Sequence, residues 1–343
     1  MEITHFQFGK TKDNEAVEGF RISNQNHYSM KVINWGATLI SFEAPDKNGQ
    51  VEELTLGFEE FSNYEQFSPY FGSTVGRVAN RINSGLFSMA GKEFQLEKNQ
   101  KGVHHLHGGS KGISKVIWQI DSFLDENQAG VICQISSPEG DEGYPGKMDI
   151  MVRYTLTETN QLIIDYEAKT DQLCPINLTN HTYWNLSGNK KDNVLNHNIE
   201  LSCNHYLPVD DTLIPIGEIR SVEGTDWDFR EMKNIGKDIE SAGGYDHCYV
   251  KKMERGECVS IAKVAESNSG RTMTVATTEP GVQFYSGNFL SRLEDQGFNI
   301  YEGFCLEAQF FPDAVNHDNF PSILLKPGEI YRQQTKHTFG TGQ

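Results

Sequence analysis

Short runs of alternating apolar and polar residues, or of clustered β-branched residues, recur along the chain between Gly, Asn, Asp and Pro. Tyr28–Pro45 (YSMKVINWGATLISFEAP) holds two such runs broken at Gly36. Val116–Pro138 predicts a hairpin turning near Glu126–Gly130, and Lys147–Thr170 predicts another turning at Glu158–Gln161. Arg271–Asn288 continues the pattern. A period of two puts successive side chains on opposite faces, and turn chemistry returns roughly every 8–12 residues, so the expectation is an antiparallel all-β protein. Helical periodicity is weak, with one- or two-turn segments predicted near Glu59–Gln66 and Asp238–Ser241. No linker, charge block, low-complexity tract or internal repeat divides residues 1–343. One large antiparallel β-sandwich domain is therefore expected.

Composition narrows the partners. Lys plus Arg number 30 against 47 for Asp plus Glu, a formal charge of −17. A surface that acidic repels phosphate backbones and anionic lipids, which argues against nucleic acid and membrane but not against a neutral sugar. No basic segment followed by an apolar run opens the chain, and no stretch approaches the ~20 apolar residues of a membrane span. The six cysteines are scattered without a C-x-x-C pair, as for reduced, packed thiols, so a cytoplasmic protein is expected.

The densest chemistry lies in Asn177–Leu186, NLTNHTYWNL, where three asparagines, two threonines, a histidine, a tyrosine and a tryptophan share ten positions. Amides and imidazole suit sugar hydroxyls, and aromatic faces suit the apolar side of the ring. His181 is the one residue here of a type that ordinarily titrates near neutral pH, although a lone histidine on a strand is more often structural. Phe71–Gly85 (FGSTVGRVANRINSG) offers Asn80 beside Arg81, with Arg77 four positions earlier; alone, these arginines read as ion-pairing residues. Lys101–Ser114 holds His104, His105 and His107, but no carboxylate or cysteine stands at a companion spacing, so no metal is expected. On a strand, His105 and His107 would share a face and His104 would not. Gly108–Gly112 spells G-x-S-x-G, yet the next residues, Ile113–Ile120, alternate like a strand where a nucleophile elbow needs a helix. Further on stand Asp246 and His247 in GGYDHCYV, and Gln283, Tyr285 and Asn288 in GVQFYSGNFL. Glu307, in the apolar run CLEAQFF, is expensive to bury without a partner or a task. Asp313 and His317 read as loop-ordering residues.

Taken together, GRVANRI, LHGG, NLTNHTYWNL, YDHCY, GVQFYSGN, CLEAQFFPDAVNH and LLKPGEIYRQQTKHTF resemble, in order, the signature of the galactose mutarotases, or aldose 1-epimerases, from about Gly36 to Phe339. The resemblance implies a β-supersandwich with an open sugar cleft, and neither cofactor nor metal. It also implies that Asn80, Arg81, Asp246 and Gln283 bind an aldohexose, that His107 and His181 are the two active-site histidines, and that Glu307 is the catalytic base. Galactose or lactose use is the implied context, with a monomer or homodimer expected.

Interconverting anomers requires one group to take the O1 proton while another protonates the ring oxygen, and a carboxylate and an imidazole suit these roles. Glu307 at O1 and His181 at the ring oxygen, with His107 assisting, is the expected assignment. Asn180 and Asn185 are expected to support the histidine. A glycoside hydrolase using Asp246 and Glu307 as its carboxylate pair is the competing reading. A non-catalytic sugar-binding protein is the other, and the presence of both His181 and Glu307 disfavours it.

Overall fold

The computed structural model describes residues 1–254 and 256–342. Three antiparallel sheets carry the architecture. A nine-stranded sheet runs in the spatial order Gln119–Asp125, Gln128–Ser137, Met148–Thr157, Gln161–Thr170, Tyr331–Thr341, Arg271–Thr277, Val259–Ala265, Asn198–Leu201, Lys233–Asn234. The first five-stranded sheet is a meander from Glu2–Lys10 to Val51–Glu53, strands paired in chain order. The second five-stranded sheet orders Arg220–Ser221, His205–Tyr206, Asp246–Val250, Gly281–Tyr285 and Cys305–Gln309.

The predicted hairpins form where the alternation placed them. Gln119–Asp125 pairs Gln128–Ser137, and Met148–Thr157 pairs Gln161–Thr170 in unbroken register from Met148↔Thr170 to Leu156↔Leu162. The two predicted helical segments form as α-helices at Phe61–Phe67 and Ile239–Ala242. Arg271–Thr277 and Gly281–Tyr285, adjacent in sequence, belong to different sheets.

The sheets meet through large side chains. Phe339 of the nine-stranded sheet stacks on Phe42 of the meander with ring centroids 4.3 Å apart, and Trp184 closes on both rings edgewise or tilted. Buried aromatic rings of this size contribute ~2 kcal/mol or more each through apolar area removed from water. Leu306 and Ala308 of the second five-stranded sheet face Ile164 and Tyr166 of the nine-stranded sheet across a small void. Strand alternation then sends Cys305 and Glu307 to the opposite face, away from that core. No helix among the described residues is long and apolar enough to cross a membrane.

Candidate active site

The face so exposed gathers the site. In the register of the second five-stranded sheet, Gln283 pairs Glu307, Cys248 pairs Gln283, and Asp246 pairs Tyr285. Directly opposed residues project from one face, as do residues two apart on a strand, so Asp246, Gln283, Tyr285, Cys305 and Glu307 form one polar-aromatic surface. Asp246, Tyr285 and Glu307 of this surface line a cleft of about 730 Å³ whose walls also include Asn80, Arg81, His107 and His181.

Two loops bring in the cleft's far wall. Asn80 sits at φ 61° and His107 at φ 51°, left-handed conformations that single residues adopt where a chain turns sharply. The two segments are tied reciprocally: the His107 amide donates to the Asn80 carbonyl at 3.0 Å, and the Asn80 amide donates to His107 Nδ1 at 3.1 Å. The glycine after His107 is obligatory, because a Cβ on Gly108 would lie 1.7 Å from the Gly76 carbonyl oxygen. With Nδ1 accepting the Asn80 amide, neutral His107 carries its proton on Nε2.

The turn at His107 corrects the expectation drawn from strand alternation. Only His105–Leu106 is extended, so His105 faces inward, bonded through its two ring nitrogens to the Glu97 carbonyl and the Tyr144 hydroxyl, each at 2.8 Å. His104 and His107 both line the cleft. The arginines also sort. Arg77 makes no ion pair among the described residues; its guanidinium donates to the carbonyls of Ser137, Pro138, Pro145 and Gly146. Arg81 does face a carboxylate, with Asp246 at 3.7 Å, and donates to Gln100 Oε1 at 3.1 Å and Asn80 Oδ1 at 3.3 Å. Gln283, on the same sheet face, is not among the cleft-lining residues; its amide donates to Asp246 Oδ1 at 2.7 Å.

His181 is set by the motif around it. Its amide donates to the Ser73 carbonyl and its carbonyl accepts from the Gly72 amide, both at 3.0 Å. Asn180 braces the same turn, donating to the Gly72 carbonyl at 2.7 Å and accepting from the Thr182 amide at 3.1 Å. Asn185 does not support the histidine; its amide ties down the carbonyls of Asp192 and Glu302 instead. The His181 ring stacks on Tyr183 at 5.0 Å and meets His107 edgewise at 5.1 Å. Asp313 and His317 order a loop as expected: Asp313 Oδ1 accepts the Asn83 amide at 2.9 Å, and its other oxygen lies 3.4 Å from His317 Nε2. Asn288 serves a turn, bonded to Ser286 and the Tyr245 carbonyl.

His181 Nε2 and Glu307 Oε1 lie 3.7 Å apart, both side chains buried. Burial, then the nearby Asp246 charge, push the Glu307 carboxyl well above the usual carboxylate range against the opposing pull of Arg81. Burial holds His181 down to about 4, against its own carbonyl and Asp246. Burial likewise keeps His107 well below its ordinary value, helped by His181 and Arg81. Burial thus pushes both members of the Glu307–His181 pair toward their neutral forms, favouring the proton on the carboxyl over the imidazole. The low-dielectric site disfavours both an ionised glutamate and a protonated histidine.

His107, His181 and Glu307 have ligand atoms within 4.8 Å of one another, a spacing that two-histidine-one-carboxylate metal sets share. The Asn80 amide, however, occupies the His107 Nδ1 lone pair, leaving Nε2–H as a hydrogen-bond donor and not a ligand. Tyr70, Tyr285 and Phe289 also line the cleft, together with Asp211 and Thr212 from a distant turn. Tyr285 lies within the GVQFYSGN motif, whereas Tyr70 and the distant turn carry no signal in the sequence.

A chain-wide family model for aldose 1-epimerase matches residues 18–338. The chain is 42% identical to galactose mutarotase of Bos taurus over 94% of both chains. It is 41% identical to galactose mutarotase of Homo sapiens over 98% of both. With aldose 1-epimerase of Escherichia coli K12 the identity is 36%, over 95% of this chain and 96% of that one. Among solved structures, the GalM/aldose epimerase homologue from C. elegans superposes with a TM-score of 0.88 at 33% identity, covering 96% of this chain and all of that one. The galactose 1-epimerase from Lactobacillus acidophilus NCFM gives 0.87 at 28% identity, covering 100% and 99%. The chain is an isomerase of the aldose 1-epimerase family.

Proposed function

We propose that this enzyme interconverts the α and β anomers of D-galactose and related aldohexoses such as D-glucose by opening and reclosing the hemiacetal ring. The observation that carries this reading is the Glu307–His181 pair, two buried groups of opposite chemical type, 3.7 Å apart, each pushed by burial toward its neutral form. Passing a proton from Glu307 to His181 Nε2 gives a carboxylate and an imidazolium. The carboxylate takes the O1 proton while the imidazolium gives its proton to the ring oxygen, so the C1–O5 bond breaks and the aldehyde forms. Rotation about C1–C2 presents the other carbonyl face. Return of both protons closes the ring with the pair still holding one, so no net proton is consumed. His107 Nε2–H is the additional donor beside these groups, and Arg81, Asn80 and Asp246 grip the hydroxyls, with Gln283 fixing Asp246.

No cofactor enters these steps; the partner is a small neutral sugar. The six free cysteines support a reducing, cytoplasmic setting. The test is polarimetry with anomerically pure α-D-galactose, α-D-glucose and other aldoses. Acceleration of mutarotation without release of monosaccharide from a disaccharide is expected. No acceleration, or hydrolysis of the disaccharide, would overturn the reading in favour of a binding protein or a glycoside hydrolase.

A further inference from the structure

Glu307 requires a lone pair on His181 Nε2 if its proton is to cross, so the tautomer of the neutral ring decides whether the pair works. The two ring nitrogens are distinct, and the partner of one sets the state of the other. On the side away from Glu307, His181 Nδ1 lies 3.5 Å from the sulfur of Cys305. Cys305 is fully buried on the strand that also carries Glu307, two residues before it and on the same face. Among the described residues, His181 is the side chain with which that sulfur makes its hydrogen bond.

We propose that Cys305 is a positioning residue whose sulfur accepts the Nδ1–H of His181, holding the neutral ring with its Nε2 lone pair toward Glu307. The thiol sulfur can accept Nδ1–H weakly and without adding a charge to the site, while the Glu307 carboxyl on the other side of the ring calls for the Nε2 lone pair. A carboxylate there would also fix Nδ1–H but would raise the basicity of the ring and trap the proton on it. The thiol stays protonated, since burial, then Glu307 and Asp246, raise it well above its ordinary value. When Nε2 takes the Glu307 proton, Nδ1–H keeps its sulfur partner, so neither ring nor thiol has to reorganise as the proton moves. The strand thus sets acid–base group and tautomer together through one register.

The inference rests on the catalytic roles proposed above, and its test separates from theirs. ¹⁵N-histidine NMR of the unmodified protein near pH 7 reports the tautomer directly, with the His181 signals identified by their loss in His181→Asn. A pyridine-type nitrogen at Nε2 and a protonated Nδ1 are expected; a protonated Nε2 in the neutral ring would overturn the proposal whatever the activity. Cys305→Ala is expected to mix the tautomers, lower kcat about tenfold with KM within twofold, and shift the pH–rate profile. Cys305→Ser, which keeps an acceptor, is expected to recover most of kcat. Should Cys305→Ala retain the wild-type tautomer, kcat and pH profile, the proposal is wrong even if His181→Asn is inactive. Failure of His181→Asn to lose activity would instead remove the catalytic reading.

Discussion

At the scale of residues, the site's chemistry comes from burial more than from the identity of its groups. Burial pushes the Glu307 carboxyl up and the His181 imidazole down, so the neutral forms are favoured over an ion pair. The consequence is a bell-shaped kcat/KM profile displaced from the ordinary positions. Its acid limb should fall near pH 4, where His181 is protonated while Glu307 still holds its own proton and no base remains. The alkaline limb should fall well above the usual carboxylate range, where Glu307 loses the last proton and no acid remains. An acid limb near pH 6.5 in a pH–rate series would show that His181 is not depressed. Asn80, Arg81, His107, His181, Asp246 and Glu307 are legible because each sits in a motif long enough to be recognised. In sequence Cys305 reads only as a packed thiol, and the bond from Gln283 to Asp246 is invisible, since both depend on which strands pair and in what register.

At the scale of elements, alternation with period two marks the hairpins, because each has one face in the core and one toward water or the cleft. The same logic fails over His104–His107, where a left-handed residue ends the strand and reverses which side chains reach the cleft. The separation of Arg271–Thr277 from Gly281–Tyr285 into two sheets also escapes pattern, since both runs alternate alike. The turn after His107 carries a sharp prediction. Gly108→Ala forces a Cβ into the Gly76 carbonyl at a positive φ, so it should destabilise the fold by about 2–4 kcal/mol and displace His107. Urea unfolding checks the first effect and kcat the second; a variant with wild-type midpoint and activity would show that these two loops are not in contact as described.

At the scale of the whole molecule, the fold stores neutral histidines. His181, His197 and His337 are each held down to about 4 by burial. In the unfolded chain each would titrate near its ordinary value of about 6.5. Between those values the unfolded state binds more protons than the native state, so stability rises with pH across this window and is lost on acidification. Each contributes on the order of 3 kcal/mol at full shift. Thermal melts from pH 7 to pH 4 should show a falling Tm, with net proton uptake on unfolding near pH 5. A Tm that holds flat over that range would contradict burial of these rings in their neutral form.

The proposed ring-opening proton transfer is best tested at Glu307, whose carboxyl burial pushes toward its protonated form. Glu307→Gln keeps the size and polarity of the side chain and removes its ability to gain or lose a proton. Polarimetric mutarotation of α-D-galactose by this variant at neutral pH should fall by about 10²–10⁴-fold, with Tm little changed. A rate within a few-fold of wild type would mean that the proton shared by Glu307 and His181 is not the one that opens the ring.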